Sequence, residues 1–364
     1  MSNFYTRLLS EVINSLANNY NDNHDFYRFG QAKETLKHRL AENFMLSRGQ
    51  NLIHVNSTLT GYSSLDPYLE RLNWLYETLE DEKSKQTLIK LIAFRILGKK
   101  KVKLPLSTPE HWQTIRQLHE LEDEKDFLQV SFENWKLKKT DLNKINYPIQ
   151  LYYSAAGTYY TFVLKQYEYP VSNDFIIKAE TGDYVIDAGA CWGDTALYFA
   201  NAVGANGKVF SFEFIPSNVN ILRRNLALNP HLENRVEIIE KAVWSESDTT
   251  LYYDDNGPAS RVGSTPQNTQ EDKASTLSID DLVNSSSLNK LDFIKMDIEG
   301  AEPRALQGAR KTLEKFKPKL AIAIYHSLDD FVEIPRFLDS LGLGYKFYLG
   351  HYTIHIEETI LYAV

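Results

Sequence analysis

Residues 184–193 read YVIDAGACWG, and residues 208–213 read KVFSFE. The first stretch begins as an apolar strand that ends at Asp187. Its loop contains Gly189 and Gly193, which leave room for a ligand against the backbone before a predicted helix. The second stretch is another buried strand and ends at Glu213, whose carboxylate can accept hydrogen bonds from both hydroxyls of a ribose. The two stretches therefore predict an α/β fold with a nucleoside site at the strand ends.

The spacing of the loop glycines indicates which nucleoside fits. A dinucleotide site of the Gly-x-Gly-x-x-Gly type needs an additional glycine, so that the backbone can approach a pyrophosphate. Here Ala190 and Cys191 fill the loop between the glycines. S-adenosylmethionine, which has an adenine, a ribose and an amino-acid tail but no phosphate, is the better match. Similar loops also occur as plain tight turns, so the loop alone does not decide the ligand.

A second acidic block follows the apolar stretch LDFIKM at residues 291–296. It contains Asp297, Glu299 and Glu302, and the last of these could instead cap a helix that we predict at residues 303–313. Ligands of open α/β sheets sit outside the carboxyl ends of the strands. We therefore expect four acids at strand ends to face one crevice: Asp187, Glu213, Asp297 and Glu299.

With these motifs, the chain resembles the FkbM family of class I S-adenosylmethionine-dependent methyltransferases over roughly residues 175–364. The resemblance rests on VIDAGA with Gly193, on Phe212-Glu213 followed by Pro216, and most distinctively on IKMDIEGAE at residues 294–302. Two segments depart from the family pattern. LSIDDL at residues 277–282 differs slightly from the family's Leu-Asp-Asp-Leu, and Tyr325-His326 stands where the family often has an acid before its histidine.

The resemblance implies a Rossmann-like, seven-stranded methyltransferase sheet whose last strand is antiparallel to the others. It also implies how the cofactor is held. The loop residues line its methionine end, a glutamate holds its ribose, and two apolar residues lie by its adenine. In that order, the expected cofactor-binding residues are Asp187, Gly189, Ala190, Gly193, Glu213, Ala242 and Val243.

Methyl transfer requires an aligned acceptor and usually a base for the proton that the acceptor loses. His326, at the end of an apolar strand, is the first candidate for the base, and Asp297 is its rival. We expect Glu299, Arg261 and Tyr325 to contact the acceptor, although Arg261 fits an ordinary surface charge equally well. A divalent cation could bind to Asp297, Glu299 and His326. We do not favour it, because an acid–base pair or helix caps would leave the same residues in the sequence.

The 364 residues exceed one ordinary domain and are predicted to divide into three parts. Residues 1–125 have the apolar spacing of helices, residues 126–174 contain tyrosine-rich runs, and residues 175–364 alternate strands and helices. We interpret the runs at 149–153 and 159–164 as a β-hairpin that flanks the catalytic part. Its tyrosines could stack on an acceptor, although packing is their more common role.

The composition indicates which kinds of partner and which cellular compartment to expect. The net charge of −8 and the pI near 5.7 argue against broad nucleic-acid binding, which usually requires a basic surface. A single cysteine excludes an internal disulfide and is typical of reducing compartments. No stretch reaches the roughly 18 apolar residues of a membrane span. We expect a cytoplasmic protein with a small-molecule or glycan acceptor, and the oligomeric state stays open, with a homodimer as one option.

The leading hypothesis is an S-adenosylmethionine-dependent O-methyltransferase that acts on a hydroxyl of a sugar or another small molecule. Three alternatives stay open: N-methylation of protein or RNA, a nicotinamide-dependent dehydrogenase, and a non-catalytic nucleoside-binding or assembly module. Overall acidity disfavours the first, the glycine spacing disfavours the second, and the intact acids at four strand ends disfavour the third.

Overall fold

A computed structural model describes residues 3–25, 65–266 and 272–364. Part of the predicted N-terminal helical region, residues 26–64, lies outside the described residues. The α-helices are α1 (Asn3–Leu16), α2 (Leu69–Thr78), α3 (Glu82–Leu97), α4 (Pro109–His119), α5 (Ala155–Thr158), α6 (Asp194–Val203), α7 (Pro216–Ala227), α8 (Pro230–Glu233), α9 (Ile279–Ser285), α10 (Glu302–Gln307), α11 (Arg310–Phe316) and α12 (Asp330–Ser340). None of the helices in these ranges is long and apolar enough to cross a bilayer.

The strands form one large sheet and three smaller ones. They are β1 (Glu122–Gln129), β2 (Lys136–Asp141), β3 (Gln150–Tyr153), β4 (Tyr169–Pro170), β5 (Ile176–Ile177), β6 (Tyr184–Ala188), β7 (Lys208–Phe212), β8 (Val236–Ile239), β9 (Ala242–Val243), β10 (Thr250–Tyr253), β11 (Val262–Gly263), β12 (Asp272–Leu277), β13 (Phe293–Met296), β14 (Lys319–Ala323), β15 (Phe347–His351) and β16 (Thr359–Ala363).

The large sheet has seven strands in the order β15-β16-β14-β13-β6-β7-β8. The strands β14, β13, β6, β7 and β8 pair in parallel, whereas β16 pairs antiparallel with both β14 and β15. The predicted seven-stranded sheet with an antiparallel last strand is therefore confirmed. The carboxyl ends of β6, β7 and β13 meet at one edge, as parallel pairing requires.

Helices cover both faces of this sheet, which explains the nearly continuous apolar runs of its inner strands. Alternate residues of a strand point to opposite faces. Ile186 and Ile294 therefore join the core that also contains Leu75 of α2 and Ile92 of α3, whereas Val185 joins the core on the α6 side. The N-terminal helices thus share a hydrophobic core with the seven-stranded sheet.

The predicted β-hairpin at 149–153 and 159–164 is wrong in its second half. β3 pairs with β2, and β2 pairs with β1, so the antiparallel strands of this region come from residues 122–153. Residues 155–163 are helical instead, because the Ser154 side chain caps the Gly157 amide and a π-helical turn, Tyr159–Val163, follows. Tyr159 and Tyr160 pack with Ile115 of α4, and this packing overrides the β-propensity of tyrosine.

The prediction of a single helix at 303–313 is also wrong, because this region forms two helices, α10 and α11. The helical conformation is interrupted between them at Gly308. A Cβ atom at Gly308 would lie 2.2 Å from the carbonyl oxygen of Trp244. This close backbone approach, which the local pattern does not reveal, interrupts the helix at a glycine.

The polar segment between residues 249 and 276 contributes strands to a small sheet. β10, β11 and β12 assemble with β9 into a four-stranded sheet in the order β11-β10-β12-β9. Between β10 and β11, a 3₁₀ turn, Gly257–Ala259, lies over the carboxyl edge of the large sheet and lines pockets there.

Candidate active site

Two adjoining pockets open at the carboxyl ends of β6, β7 and β13. We call the first, of about 560 Å³, the glutamate pocket because Glu213 lines it, and the second, of about 1140 Å³, the aromatic pocket. Both are lined by the same five residues at their junction: Gly189, Cys191, Pro258, Asp297 and Glu299. A ligand that fills one pocket therefore meets a ligand in the other beside two carboxylates.

Glu213 extends from the end of β7 into the glutamate pocket and is 6% exposed. Its Oε1 accepts hydrogen bonds from the amides of Phe214 and Ile215, at 2.8 and 2.9 Å. Oε2 accepts a long hydrogen bond of 3.4 Å from the Asn218 side chain, and the Cys191 backbone also interacts with the carboxylate. A carboxylate oxygen has two lone pairs, so Oε2 can accept a further hydrogen bond. Burial raises the pKa of Glu213 to about 7, although the two amides act in the opposite direction.

Gly189 is the point where the loop after β6 passes β13. Its φ is +82°, and a Cβ atom there would lie 1.9 Å from the carbonyl oxygen of Asp297. Glycine is required on both counts, because other residues rarely adopt this φ and no side chain fits the gap. Gly189, Glu213, Ala242 and Val243 all line the glutamate pocket, as the predicted cofactor site needs.

Three other residues of the predicted cofactor set lie behind the pockets and line neither of them: Asp187, Ala190 and Gly193. Ala190 is fully buried in the core under α6. Gly193 has a φ of +90° at the start of α6, and a Cβ atom there would lie 3.0 Å from Leu222 of α7. These two residues support the loop through packing rather than through contact with a ligand.

The carboxylate of Asp187 is wholly engaged inside the protein. It accepts hydrogen bonds from Thr195 at 2.9 and 3.0 Å and from Ser211 at 3.3 Å, and it lies 3.2 Å from Nζ of Lys295. Both partners of this ion pair are buried, with side-chain exposures of 0% and 2%. Asp187 therefore acts on the loop indirectly, through Lys295.

Lys295 is a functional residue that the sequence analysis missed. It lies on β13 directly opposite Asp187 of β6, and its Nζ also donates to the carbonyls of Ala188 and Gly189, at 3.1 and 2.7 Å. Burial would lower the pKa of Lys295, but attraction to Asp187 and Asp297 raises it, so the side chain stays charged. A lysine inside an otherwise apolar, buried strand was the available signal.

Most of the aromatic residues that line the aromatic pocket precede the large sheet in the chain. Of the tyrosines in the predicted hairpin, Tyr153 and Tyr160 line it, whereas Tyr159 packs in the core against α4. The Gln166 side chain, in a residue only 6% exposed, also lines this pocket, and its Oε1 has no hydrogen-bond partner. The aromatic residues that line the pocket are Phe132, Trp135, Tyr153, Tyr160, Tyr167, Trp192 and Tyr325.

Asp297 is held by two tyrosines at the junction of the pockets. Tyr325 donates its hydroxyl to Oδ1 at 3.1 Å, and Tyr167 donates to Oδ2 at 3.3 Å. Glu299 follows in a turn with a φ of +59°, which is an uncommon conformation for a residue other than glycine. Arg261 lines neither pocket and is 67% exposed, with Nε 3.9 Å from Oε2 of Glu299.

His326 lies behind Asp297 and lines neither pocket. Its Nε2 is 3.5 Å from Asp297 and 3.6 Å from Glu299, and its Nδ1 is 3.3 Å from Glu302. Burial would lower the pKa of His326, but the three carboxylates raise it to about 11. The structure therefore argues against His326 as the general base, because its imidazole is protonated at neutral pH and is shielded from the pockets.

A model of the methyltransferase FkbM domain matches residues 187–347. The match covers less than half of the 364 residues, so the likeness to the FkbM domain holds for this part of the chain. The matched part of the FkbM domain contains the junction residues Gly189, Asp297 and Glu299 as well as Glu213 and Lys295.

One solved structure has a similar fold. The crystal structure of methyltransferase FkbM from Methylobacillus flagellatus KT is similar at 20% identity with a TM-score of 0.51, and the match covers 83% of this chain. The chain spans 60% of the length of that FkbM protein. Aeropyrum pernix fibrillarin with natively bound S-adenosyl-L-methionine matches at 14% identity and a TM-score of 0.38, over 65% of this chain and 93% of that one. No curated protein sequence matches the chain.

Proposed function

We propose that this protein, in which residues 187–347 match the FkbM domain, is an S-adenosylmethionine-dependent O-methyltransferase that acts on a hydroxyl of a sugar or another small molecule. The proposal rests on the observation that the two pockets meet at a common junction. The glutamate pocket suits a donor nucleoside, the aromatic pocket suits an acceptor, and the two share a boundary at Asp297 and Glu299. Proximity of this kind is what a direct group transfer requires.

The residues of the glutamate pocket fit S-adenosylmethionine. Oε2 of Glu213 retains acceptor capacity for ribose hydroxyls, and the pocket continues past apolar Ala242 and Val243, which suit an adenine ring. Gly189 also lines this pocket, at its junction with the aromatic pocket. When bound, the cofactor would supply an activated methyl group on a sulfonium. The nearby carboxylates favour such a cation electrostatically.

The aromatic pocket supports a small acceptor with an apolar face and polar edges. Rings such as those of Tyr153 and Trp192 can pack against the face of a sugar, while Gln166 and the junction carboxylates can accept hydrogen bonds from its hydroxyls. Asp297 and Glu299 are the groups placed to take the proton that the reacting hydroxyl loses, because they line both pockets and His326 lines neither.

Calorimetric titration with S-adenosylhomocysteine and, separately, with NAD tests the proposal. We expect micromolar binding of S-adenosylhomocysteine and none of NAD, after which hydroxyl-bearing and amine-bearing acceptors can be screened for methylation. Binding of NAD alone would favour a dehydrogenase and overturn the proposal. Methylation of an amine alone would replace O-methylation by N-methylation.

Glu213→Gln is expected to weaken cofactor binding while it raises the free energy of unfolding above neutral pH. The pKa of about 7 lies above the ordinary value of 4.5, so the stability that Glu213 gives the folded state at low pH is lost as the pH rises from about 4.5 to 7. At pH 8 the variant without cofactor should therefore be more stable than the parent, by up to about 3 kcal/mol, with little gain at pH 4.5. Its affinity for S-adenosylhomocysteine should fall about 10- to 100-fold.

Urea unfolding at the two pH values and calorimetry measure these effects. Glu233→Gln, at an exposed position in α8, is the matched control and should change neither quantity. An unchanged affinity in Glu213→Gln would remove Glu213 from the ribose site. An equal stability change at both pH values would contradict the ionisation argument.

A further inference from the structure

Asn218 is a buried residue of α7 that contacts both the predicted ribose ligand and the 3₁₀ turn over the pockets. It is 2% exposed and lines the glutamate pocket. Its Nδ2 donates to Oε2 of Glu213 at 3.4 Å and to the carbonyl oxygen of Gly257 at 3.5 Å. Both hydrogen bonds are longer than the common distance of about 2.9 Å. One side-chain amide is therefore shared between the ribose site and the turn.

The turn borders both pockets. We call residues 255–260, which include this turn, the cap. Gly257 lines the glutamate pocket, Ala259 lines the aromatic pocket, and Pro258 lines both. On the far side of the cap, a Cβ atom at Gly257 would lie 3.0 Å from Cβ of Phe132, another residue of the aromatic pocket. A small displacement of the cap would therefore change the shape of both pockets.

Hydrogen bonds within the cap hold it together as a unit. The Ser260 hydroxyl donates to the carbonyl of Gly257 at 2.7 Å and accepts from the amide of Asn256 at 2.8 Å. Oδ1 of Asp255 accepts from the amide of Gly257 at 3.2 Å. Because these bonds lie within the cap, its residues can move together without loss of any of them.

The attachment of the cap is firm at its outer edge and weak beside the pockets. The Ser217 hydroxyl donates to Oδ2 of Asp255 at 2.7 Å at an exposed position. Beside the pockets, Asn218 contributes its 3.5 Å bond to the cap. Arg261, the residue after the cap, has Nε 3.9 Å from Oε2 of Glu299 and a side chain that is 67% exposed. This arrangement allows the cap to pivot about its outer edge.

The wall on the β3 side is held much more firmly. Asn225 of α7 accepts from the amide of Tyr152 at 2.7 Å and donates to the carbonyl of Trp192 at 2.8 Å. Asn229 accepts from the amide of Gln150 at 2.9 Å and donates to its carbonyl at 2.6 Å. These side chains bind β3 and the loop after β6 to the same helix. Of these two boundaries, the cap is the one that can move.

We propose that Asn218 is a positioning residue that fastens the cap over the pockets once Glu213 has bound the ribose hydroxyls of the cofactor. The proposal rests on the cofactor site proposed above. Ribose hydroxyls that donate to Oε2 of Glu213 compete with the long bond from Asn218. The amide can then turn toward the carbonyl of Gly257 and shorten the 3.5 Å bond.

Fastening of the cap would link the two pockets in a fixed order. The donor nucleoside binds first, and Pro258 is then held at the junction that both pockets share. An acceptor that binds against a fixed boundary is aligned more closely with the donor, as a direct transfer requires. Asn218 would act in this way through the cap, without contact with the acceptor.

Hydrogen–deuterium exchange of the full chain, with and without saturating S-adenosylhomocysteine, tests the proposal. We expect the ligand to slow exchange of the cap amides about 2- to 10-fold, the effect of one added hydrogen bond. Asn218→Leu is similar in size but lacks the donor, so it should lose this slowing while S-adenosylhomocysteine still binds. Asn220→Leu, at an exposed position of the same helix, is the matched control and should behave as the parent does.

Two results would overturn the role of Asn218. One is an unchanged exchange rate of the cap in the parent when calorimetry shows that S-adenosylhomocysteine is bound. The other is slowing by the ligand that persists in Asn218→Leu, because a merely structural residue would change exchange equally with and without ligand. Should Asn218→Leu not fold, Asn218→Ala also lacks the donor and takes its place. If calorimetry shows no binding to the parent, the cofactor site itself is refuted, and this proposal with it.

Discussion

Lys295→Met should lower the free energy of unfolding by about 3–5 kcal/mol, because removal of one partner leaves the charge of Asp187 buried and uncompensated. The ion pair is almost wholly buried, with side-chain exposures of 2% and 0%. The carbonyls of Ala188 and Gly189 lose a donor at the same time, at 3.1 and 2.7 Å. Because Gly189 borders both pockets, we also expect weaker binding of S-adenosylhomocysteine.

Urea unfolding at pH 7.5 measures the loss, and Lys208→Met provides the comparison. Lys208 pairs with Glu237 at the surface, and exposed pairs contribute about 1 kcal/mol or less. The double variant Lys295→Met with Asp187→Asn should recover part of the stability, since it removes the isolated charge. A loss in Lys295→Met no larger than that in Lys208→Met would contradict the role of the buried pair.

Gly189→Ala should destabilise the protein by about 2–5 kcal/mol and abolish measurable cofactor binding. Two costs add at this position: a φ of +82°, which disfavours any side chain, and a Cβ atom 1.9 Å from the carbonyl oxygen of Asp297. Relief of that contact requires β6 and β13 to separate at their carboxyl ends. That movement would disrupt the junction between the two pockets.

The variant Gly182→Ala measures the conformational cost of a positive φ without the steric cost. Gly182 has a similar φ of +91°, but a Cβ atom there meets nothing within 4 Å. We expect a loss of about 1 kcal/mol in Gly182→Ala, from conformation alone, and unchanged cofactor affinity. If thermal unfolding and calorimetry gave the same values for both variants, the close approach of Gly189 to Asp297 would have no energetic importance.

Some local predictions failed because packing decided the conformation. Residues 159–164 have the tyrosine-rich composition of a strand, yet residues 159–163 form a π-helical turn that packs beside α4. The break between α10 and α11 depends on the backbone of Trp244, more than 60 residues earlier in the chain. In both cases the deciding contact is distant in sequence, so the local pattern carries no trace of it.

In the candidate site, too, the sequence predicted some features correctly, whereas contacts between distant residues decided others. Gly189, Glu213, Asp297 and Glu299 line the pockets as the motifs predict. Asp187 was assigned to the ligand, but its carboxylate faces Lys295 on the neighbouring strand. Glu302 was predicted either as part of the acidic block after the strand or as a helix cap, and in the structure it lies against His326. A motif indicates which residues approach a site, but the direction of each side chain depends on the elements packed around it.

The sequence by itself determined the order of strands and helices in the catalytic part and the gathering of acids at one edge of the sheet. These features follow from apolar runs, glycine positions and parallel pairing, which are local or topological. Only the tertiary structure decided which acids face the pockets, which are neutralised inside the protein, and that residues 132–167 supply most of the aromatic wall. Burial and charge pairing depend on side chains brought together from distant parts of the chain, so they exist only once it has folded.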